Sequence, residues 1–429
     1  MAKLTIVGGG SAYTPDILQS LLAEPQLFAG WEWVLHDVNQ EAARIVAALG
    51  RALVRAAGAE IRVRHTTDRA EAVAGARFVL AQPRPGGLQA RSLDEKIPLR
   101  HGVLGQETLG AGGFAFAWRS IPVVLDLVAE MRRLAPEAWL ISYTNPAGMV
   151  TEAVTRVYPD ARFIGLCDMP TGVQWELARV LRVDPHRLEL EYRGINHAGW
   201  IESVRLDGKE DLLPRVRRLA RWLPVGWLPV GEVTGTLRLI QQHGRIPDPY
   251  LRYYYFRDAI VARLRRRRRT RADEVMTTVR RLYDHFAAEA RSERPRLRLH
   301  RGHASHSDLA AAVIRAMVAG RRERFIIQQR NPGHLGGLPP GRAAQFPALV
   351  GPEGWEPLPV TPLPEPEAAL IRQIQEAEAL NVTATLEGDR AKAVEAMALN
   401  PLVGSRPLAE RLVEELLAAH RPYLPTFFR

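Results

Sequence analysis

A doubly wound α/β fold built on a parallel sheet is predicted by three observations. A short apolar strand at residues 4–7 runs directly into Gly8-Gly9-Gly10 and then into a helix with apolar positions Ile17, Leu18, Leu21 and Leu22. Further apolar runs at 33–37, 61–64, 78–81 and 138–143 are each separated by helical stretches, the alternation that a parallel sheet with crossover helices requires. An acid, Asp37, closes the second run, where a carboxylate meets the ribose hydroxyls of a dinucleotide.

Taken in order, the strand, glycine turn and helix at the start form an anion cradle. Gly8 permits the tight turn and Gly10 allows backbone to approach a pyrophosphate. Free N–H groups and the helix dipole point at the anion through Ser11, Tyr13 and Thr14. The third glycine of the ordinary fingerprint is replaced by Tyr13, so the match is a variant one. Asp37 at the end of the second strand disfavours a 2′-phosphate and so selects NAD; the alternative is a helix N-cap, a role Asn39 also suits. Past Ala81 the loop Gln82-Pro83-Arg84-Pro85-Gly86-Gly87 is followed by Arg91, Asp94, Glu95 and the glycine-rich stretch 105–113. Such glycines beside charged and amide groups suit a site wall, with a structural turn as the alternative. The strand at 138–143 ends in Thr144-Asn145-Pro146, which places Asn145 toward a nicotinamide ribose or a substrate hydroxyl. These elements predict a Rossmann-like domain of the lactate and malate dehydrogenase kind over 1–193, followed by a mixed α+β, helix-rich domain over 194–429 that carries substrate and oligomer contacts.

The chain has 429 residues, 46% hydrophobic and 24% charged, and no run of eighteen apolar residues. Its N-terminus does not read as a signal peptide, and one cysteine excludes an intramolecular disulfide; a cytoplasmic protein without membrane partners is expected. Lysine occurs only at Lys3, Lys96, Lys209 and Lys392, so the net charge of +11 comes nearly all from arginine. The densest run, 263–271, lacks interleaved aromatics and reads as a solvated helix end, so no nucleic-acid partner is expected.

The single cysteine, Cys167, follows the apolar run 162–166, at the carboxyl end of a strand where parallel sheets deliver reactive groups. Asn196 and His197 follow thirty residues on. A thiolate, an imidazole and nearby oxygens form an open ligand set for a divalent transition metal; a buried apolar cysteine and a hydrogen-bonded core histidine are the alternatives.

Eight motifs in order carry a family resemblance: Val7-Gly8-Gly9-Gly10-Ser11-Ala12-Tyr13-Thr14-Pro15, Arg84-Pro85-Gly86-Gly87, Asp94-Glu95-Lys96-Ile97-Pro98-Leu99, Gly105-Gln106-Glu107-Thr108, Thr144-Asn145-Pro146-Ala147-Gly148, Gly165-Leu166-Cys167-Asp168, Asn196-His197 and Pro249-Tyr250-Leu251-Arg252-Tyr253-Tyr254. Together they resemble glycoside hydrolase family 4, specifically its 6-phospho-glucosidases, a NAD-dependent exception to the two-carboxylate mechanism. The resemblance implies a redox-neutral elimination and addition in which NAD takes hydride from C3 of the sugar, the C2 proton is removed, the aglycone leaves, water adds and the hydride returns. It implies a divalent metal, Mn2+, held by Cys167 and His197 with substrate oxygens.

Carried over residue by residue, the base resembles Tyr250, while Tyr253 and Tyr254 are expected to pack. Arg271 and Arg91 match arginines placed near the sugar or its phosphate; Asn145 and Asn196 are further substrate-binding candidates, and Arg84 joins the cofactor set. Asp168 is a catalytic candidate that bears on the anomer. The Gly-Gln-Glu-Thr and Tyr-Leu-Arg-Tyr-Tyr stretches are β-like, whereas Cys-Asp-Met-Pro at 167–170 is found in α-specific relatives. The expected substrate is a phosphorylated disaccharide or aryl 6-phospho-β-glucoside, with a 6-phospho-α-glucosidase as the alternative and a plain NAD-dependent 2-hydroxy acid dehydrogenase as the remote one. A homodimer or homotetramer is expected.

The second half carries fewer marks. Residues 206–243, with Trp222 and Trp227, are read as a mobile lid or oligomer contact, with core packing as the alternative for the tryptophans. His300, His303 and His306 are read as surface residues of a basic loop. Residues 331–340 and 352–366 read as turn-rich connectors, and 367–417 as helical.

Overall fold

The computed structural model describes residues 1–300 and 304–428, the side chains of 304–307 excepted; His303 and His306 therefore lie outside that description. Six strands pair in parallel: β1 (Lys3–Val7), β2 (Glu32–His36), β3 (Arg62–Thr66), β4 (Phe78–Ala81), β5 (Trp139–Ser142) and β6 (Phe163–Gly165). Their spatial order is 3-2-1-4-5-6, the doubly wound order, whose strand reversal beside β1 opens a crevice at the carboxyl ends. Seven further strands extend the sheet past β6: β7 (Leu188–Ile195), β8 (Ala198–Leu206), β9 (Glu210–Asp211), β10 (Ile246–Pro247), β11 (Glu323–Arg330), β12 (Ala343–Gly351) and β13 (Gly354–Pro357). β11 runs antiparallel to β6, and β12 antiparallel to both β11 and β7. The last of these strands is a correction: 354–357, expected within a connector, pairs along the edge of β12.

Two apolar layers sandwich the parallel strands, and the period-two pattern decides which residue enters which. Val7, Val79, Leu140 and Phe163 point into a core built with helix Gly110–Leu134 and the C-terminal helices. Ile6, Leu80, Ile141 and Ile164 point to the other side, against helices Thr14–Leu21, Gln40–Ala56 and Ala304–Val318. Each fully buried aliphatic or aromatic side chain of these layers contributes about 1.5–3 kcal/mol. Residues from beyond 280 thus complete cores begun by the first eighty, and the expected boundary at 193/194 falls inside β7.

Helix Gly110–Leu134 is long and apolar enough by composition to cross a membrane, but its apolar window is 78% buried inside the protein, as a core helix is. Its first turn holds Gly110, Gly112 and Gly113, expected in a loop that forms a site wall. A Cβ on Gly112 would lie 2.3 Å from the carbonyl oxygen of Gln106, and one on Gly113 2.3 Å from Thr108 backbone. These glycines let the loop 105–109 lie on the helix, which brings Gln106, Glu107 and Thr108 inward.

Candidate active site

At the carboxyl end of β1 the chain turns at Gly8, whose φ of +82° is one that glycine adopts without strain. The N–H groups of Gly8 and Gly9 both donate to the His36 carbonyl. Gly10 is in addition tightly packed against its neighbours. A Cβ there would lie 2.9 Å from Asp37 Oδ2 and 3.0 Å from Ala42, so the close approach at Gly10 is to β2 and its helix. Asp37 accepts from Gly10 N–H at 3.0 Å and from Asn39 N–H at 2.9 Å, and Asn39 caps the helix by accepting from Ala42 N–H. Of the two readings of Asp37, the N-cap belongs to Asn39, and the Asp37 carboxylate remains beside the glycine turn. Ser11 Oγ accepts from Tyr13 N–H, Tyr13 precedes the helix, and the buried Thr14 hydroxyl accepts from Gln82 Nε2 at 2.8 Å. Tyr283, from helix Arg271–Glu289, donates its hydroxyl proton to the Gly10 carbonyl, so a helix of the second half lies across the turn.

The Cys167 and His197 side chains, thirty positions apart, meet: Sγ lies 3.4 Å from Nε2. Both residues are buried. Cys167 sits two residues past β6, and His197 occupies the turn between β7 and β8 with a φ of +62°, the left-handed region that a side chain adopts when tertiary contacts hold it. Burial lowers the His197 imidazole to about 4, so its nitrogens are neutral, and burial raises the Cys167 thiol well above its ordinary value, Asp168 adding to the effect. His197 Nδ1 lies 3.1 Å from the Thr108 hydroxyl. Asn196 accepts from Gly148 N–H at 3.3 Å.

These residues fit a divalent metal. A neutral imidazole and a thiol 3.4 Å apart stand at the spacing of two donors on one ion, and a bound cation would deprotonate the thiol outright. Among the described residues no group of three or more histidine, cysteine or acidic side chains is placed to hold a metal ion. Two protein donors leave the remaining positions open, as a catalytic rather than a structural site requires.

A cleft of about 1000 Å³ opens beside this pair, and Tyr13, Arg91, Asp168, Tyr250 and Arg271 all line it. Tyr250 lies in the short turn Pro249–Leu251, fixed by Asp248, whose buried carboxylate accepts from Tyr250 N–H at 2.9 Å and from the Tyr192 hydroxyl at 3.2 Å. Burial raises Asp248 to about 6. The Tyr250 ring stacks on His197 with centroids 4.1 Å apart, and the Arg252 guanidinium lies 5.7 Å from the ring. Burial raises the Tyr250 hydroxyl well above its ordinary value, with Tyr253, Glu107 and Asp168 adding to it. Tyr254 packs as expected, whereas Tyr253 also lines the cleft.

Arg91 is buried and held on two sides, its Nε 2.8 Å from Glu95 and its Nη1 3.0 Å from Glu107. Glu107 also takes Arg84 Nη1 at 2.6 Å, so Arg84 and Arg91 share one carboxylate. Glu95 accepts in addition from Ala272 N–H at 2.8 Å, at the start of the helix that begins with Arg271. Arg271 itself is exposed, 3.3 Å from Glu274. Asn145 lies at the end of β5, partly buried, beside helix Ala147–Val157. The motif Gln106-Glu107-Thr108 is legible in the sequence, but the contacts of Thr108 with His197 and of Glu107 with Arg84 and Arg91 are not. Asp248 left no signal beyond an acid before a proline. The arginine run 263–271 is solvent-exposed as expected, yet Arg263, Arg265 and Arg267 to Arg269 face the cleft, which composition could not show. Trp222 and Trp227 are 77% and 78% exposed, which rules out core packing for both.

The chain is 33% identical over 99% of its length to a probable 6-phospho-beta-glucosidase of Bacillus subtilis, of which it covers 98%. Among solved structures it superimposes with a TM-score of 0.91 on a 6-phospho-alpha-glucosidase from gut microorganisms in complex with NAD and Mn2+, 29% identical, with 99% of each chain covered. With a 6-phospho-beta glucosidase from Thermotoga maritima, solved with manganese, NAD+ and glucose-6-phosphate, the TM-score is 0.87 at 28% identity, again over 99% of each chain. A malate dehydrogenase from Salinibacter ruber, 12% identical with a TM-score of 0.52, shares the fold alone. The family model for family 4 glycosyl hydrolases matches residues 3–183, and that for their C-terminal domain matches 192–403. The parallel sheet with its glycine turn and the buried cysteine and histidine beside an arginine-rich cleft are thus the parts of an enzyme, and the chain belongs to family 4 of the glycosyl hydrolases.

Proposed function

We propose that this enzyme hydrolyses 6-phospho-β-glucosides with NAD and Mn2+ as cofactors. The observation that carries the reading is the meeting of Cys167, His197 and Tyr250 beside a cleft that Tyr250, Arg91 and Arg271 line. NAD supplies a hydride acceptor and donor at C3, and Mn2+ the Lewis acidity that makes the neighbouring C2 proton removable. The protein's own part is binding, orientation and proton transfer. Gly8 to Thr14, Asp37 and Arg84 hold the dinucleotide, and Asn145 and Asn196 orient ribose and sugar hydroxyls. Arg91, with two of its nitrogens fixed by Glu95 and Glu107, offers its remaining Nη2 to the 6-phosphate. Arg271, exposed and ion-paired with Glu274, lines the same cleft and would reach the phosphate there. Tyr250 takes the C2 proton; because burial holds its hydroxyl in the protonated form, it needs positive charge at the Cys167 and His197 pair to act.

Asp168 lines the cleft beside Cys167 and is the second catalytic candidate. That same residue favours the second reading, a 6-phospho-α-glucosidase, since both anomers occur among the relatives. The buried free thiol suits a reducing cytoplasm, where phosphorylated sugars are confined. The exposed Trp222 and Trp227 support an oligomer contact in a homodimer or homotetramer.

The test is cleavage of 4-nitrophenyl 6-phospho-β- and α-glucosides, with NAD and Mn2+ each supplied and withheld. Release from the β-anomer that requires both cofactors is expected. Release from the α-anomer alone transfers the reading to the second, and steady NADH accumulation without cleavage of either would overturn both.

A further inference from the structure

The loop 105–109 holds a hydrogen-bond relay whose direction can be deduced atom by atom. Gln106 Oε1 lies 2.6 Å from Thr108 N and 2.9 Å from Leu109 N, and backbone amides only donate, so the group facing them is the amide oxygen. The Thr108 hydroxyl lies 2.9 Å from that same oxygen and therefore gives it its single proton. What the hydroxyl then turns toward His197 Nδ1, 3.1 Å away, is a lone pair. Nδ1 must carry the imidazole proton. Nε2 is left bare, pointing at Cys167 Sγ.

Resting on the proposed metal dependence, we infer that Gln106 and Thr108 are positioning residues that lock His197 in its Nδ1–H tautomer, and so hold Nε2 as a metal donor before any ion arrives. The opposite tautomer would set the Thr108 and Nδ1 lone pairs against each other and aim an N–H at the metal position. The buried His197 ring, at the turn between β7 and β8, is pinned between this relay and the Tyr250 face. The glycines of the adjoining helix serve the same end, since a side chain at Gly112 or Gly113 would push the loop backbone away. Outer hydrogen bonds of this kind fix the orientation and raise the basicity of a ligating imidazole.

The experiment is Mn2+ binding by equilibrium dialysis to the full chain with NAD present, with the NAD dissociation constant measured on every variant as a check of fold. Thr108→Val and Gln106→Leu, which break the relay at different links, are expected to weaken Mn2+ binding about 10- to 100-fold while NAD affinity stays. Thr108→Ser and Gln106→Glu, which keep the hydroxyl and the acceptor, are expected to bind Mn2+ within about threefold of the native chain. Should Thr108→Val fail to fold, the Gln106 pair carries the test. Native-like Mn2+ affinity in the two relay-breaking variants, or a loss in Thr108→Ser equal to that in Thr108→Val, overturns the relay and leaves the proposed function standing. A native chain that binds no Mn2+ overturns both.

Discussion

The imidazole of His197 lies flat against the ring of Tyr250, centroids 4.1 Å apart and planes within 8° of parallel. One residue comes from the turn between β7 and β8 and the other from a separate turn after β10, so the stack ties the candidate metal ligand to the candidate base. Charge at one is felt by the other.

Replacing Tyr250 by phenylalanine keeps the stack and removes only the hydroxyl. Turnover is expected to fall about 10²- to 10⁴-fold, the usual contribution of a positioned proton-transfer group. Exchange of the substrate C2 proton with deuterated water, followed by NMR, is expected to slow in parallel; unchanged exchange would assign the base to another group. Mn2+ affinity is expected to stay near native.

Cys167→Ser separates metal from dinucleotide. A hydroxyl is a poorer donor than a thiolate to a borderline-soft ion, so Mn2+-dependent cleavage should disappear. NAD binding should stay, because Gly8 to Thr14 and Asp37 lie in loops of β1 and β2, apart from β6. Activity and Mn2+ content that survive dialysis would return Cys167 to the role of a buried apolar side chain.

Gly10→Ala tests the packing role found for that glycine. Its methyl would press on Asp37 Oδ2 and on the Ala42 methyl, with Ala43 backbone behind, so the Asp37 carboxylate must move. The expected outcome is NAD binding weakened about tenfold or more, a loss of roughly 1.4 kcal/mol or above, with Mn2+ affinity retained. Calorimetry with each ligand reads both; equal NAD affinity would show that Asp37 takes no part in holding the dinucleotide.

Glu378 carries a pH dependence. Burial raises its carboxyl to about 8, with Glu152 adding to the shift. The folded state therefore binds a proton that the unfolded chain has released once pH exceeds the ordinary carboxyl value of 4.5. With more protons bound in the folded form, stability falls as pH rises through the window from 4.5 to about 8, then levels off. Glu378→Gln, which mimics the protonated carboxyl, should flatten that slope and raise the urea midpoint most at the alkaline end. A midpoint shift independent of pH would show that Glu378 does not titrate in this window.

The local chemistry of the site is legible in the short-range pattern of the chain. The strand and glycine turn at 4–10, the acid at Asp37 and the Asn39 cap are legible because each depends on neighbours in the chain, where propensity and spacing act. The pairing of Cys167 with His197 was also legible, but through family motifs and not through spacing, since nothing in thirty intervening residues dictates a 3.4 Å approach. Long-range packing sets what lies between distant segments: the Gln106 to Thr108 relay onto His197, the shared carboxylate of Glu107, the Asp248 support beneath Tyr250, and the cleft-facing side of the 263–271 run. It also overruled local expectation at 110–113, where glycines that read as loop became the first turn of a buried helix, because the close approach of loop backbone outweighs glycine's cost of about 1 kcal/mol per residue in a helix. Local preferences extend over a few residues, whereas an active site collects groups from many loops at the ends of one sheet; the burial of both sheet faces sets where those ends meet.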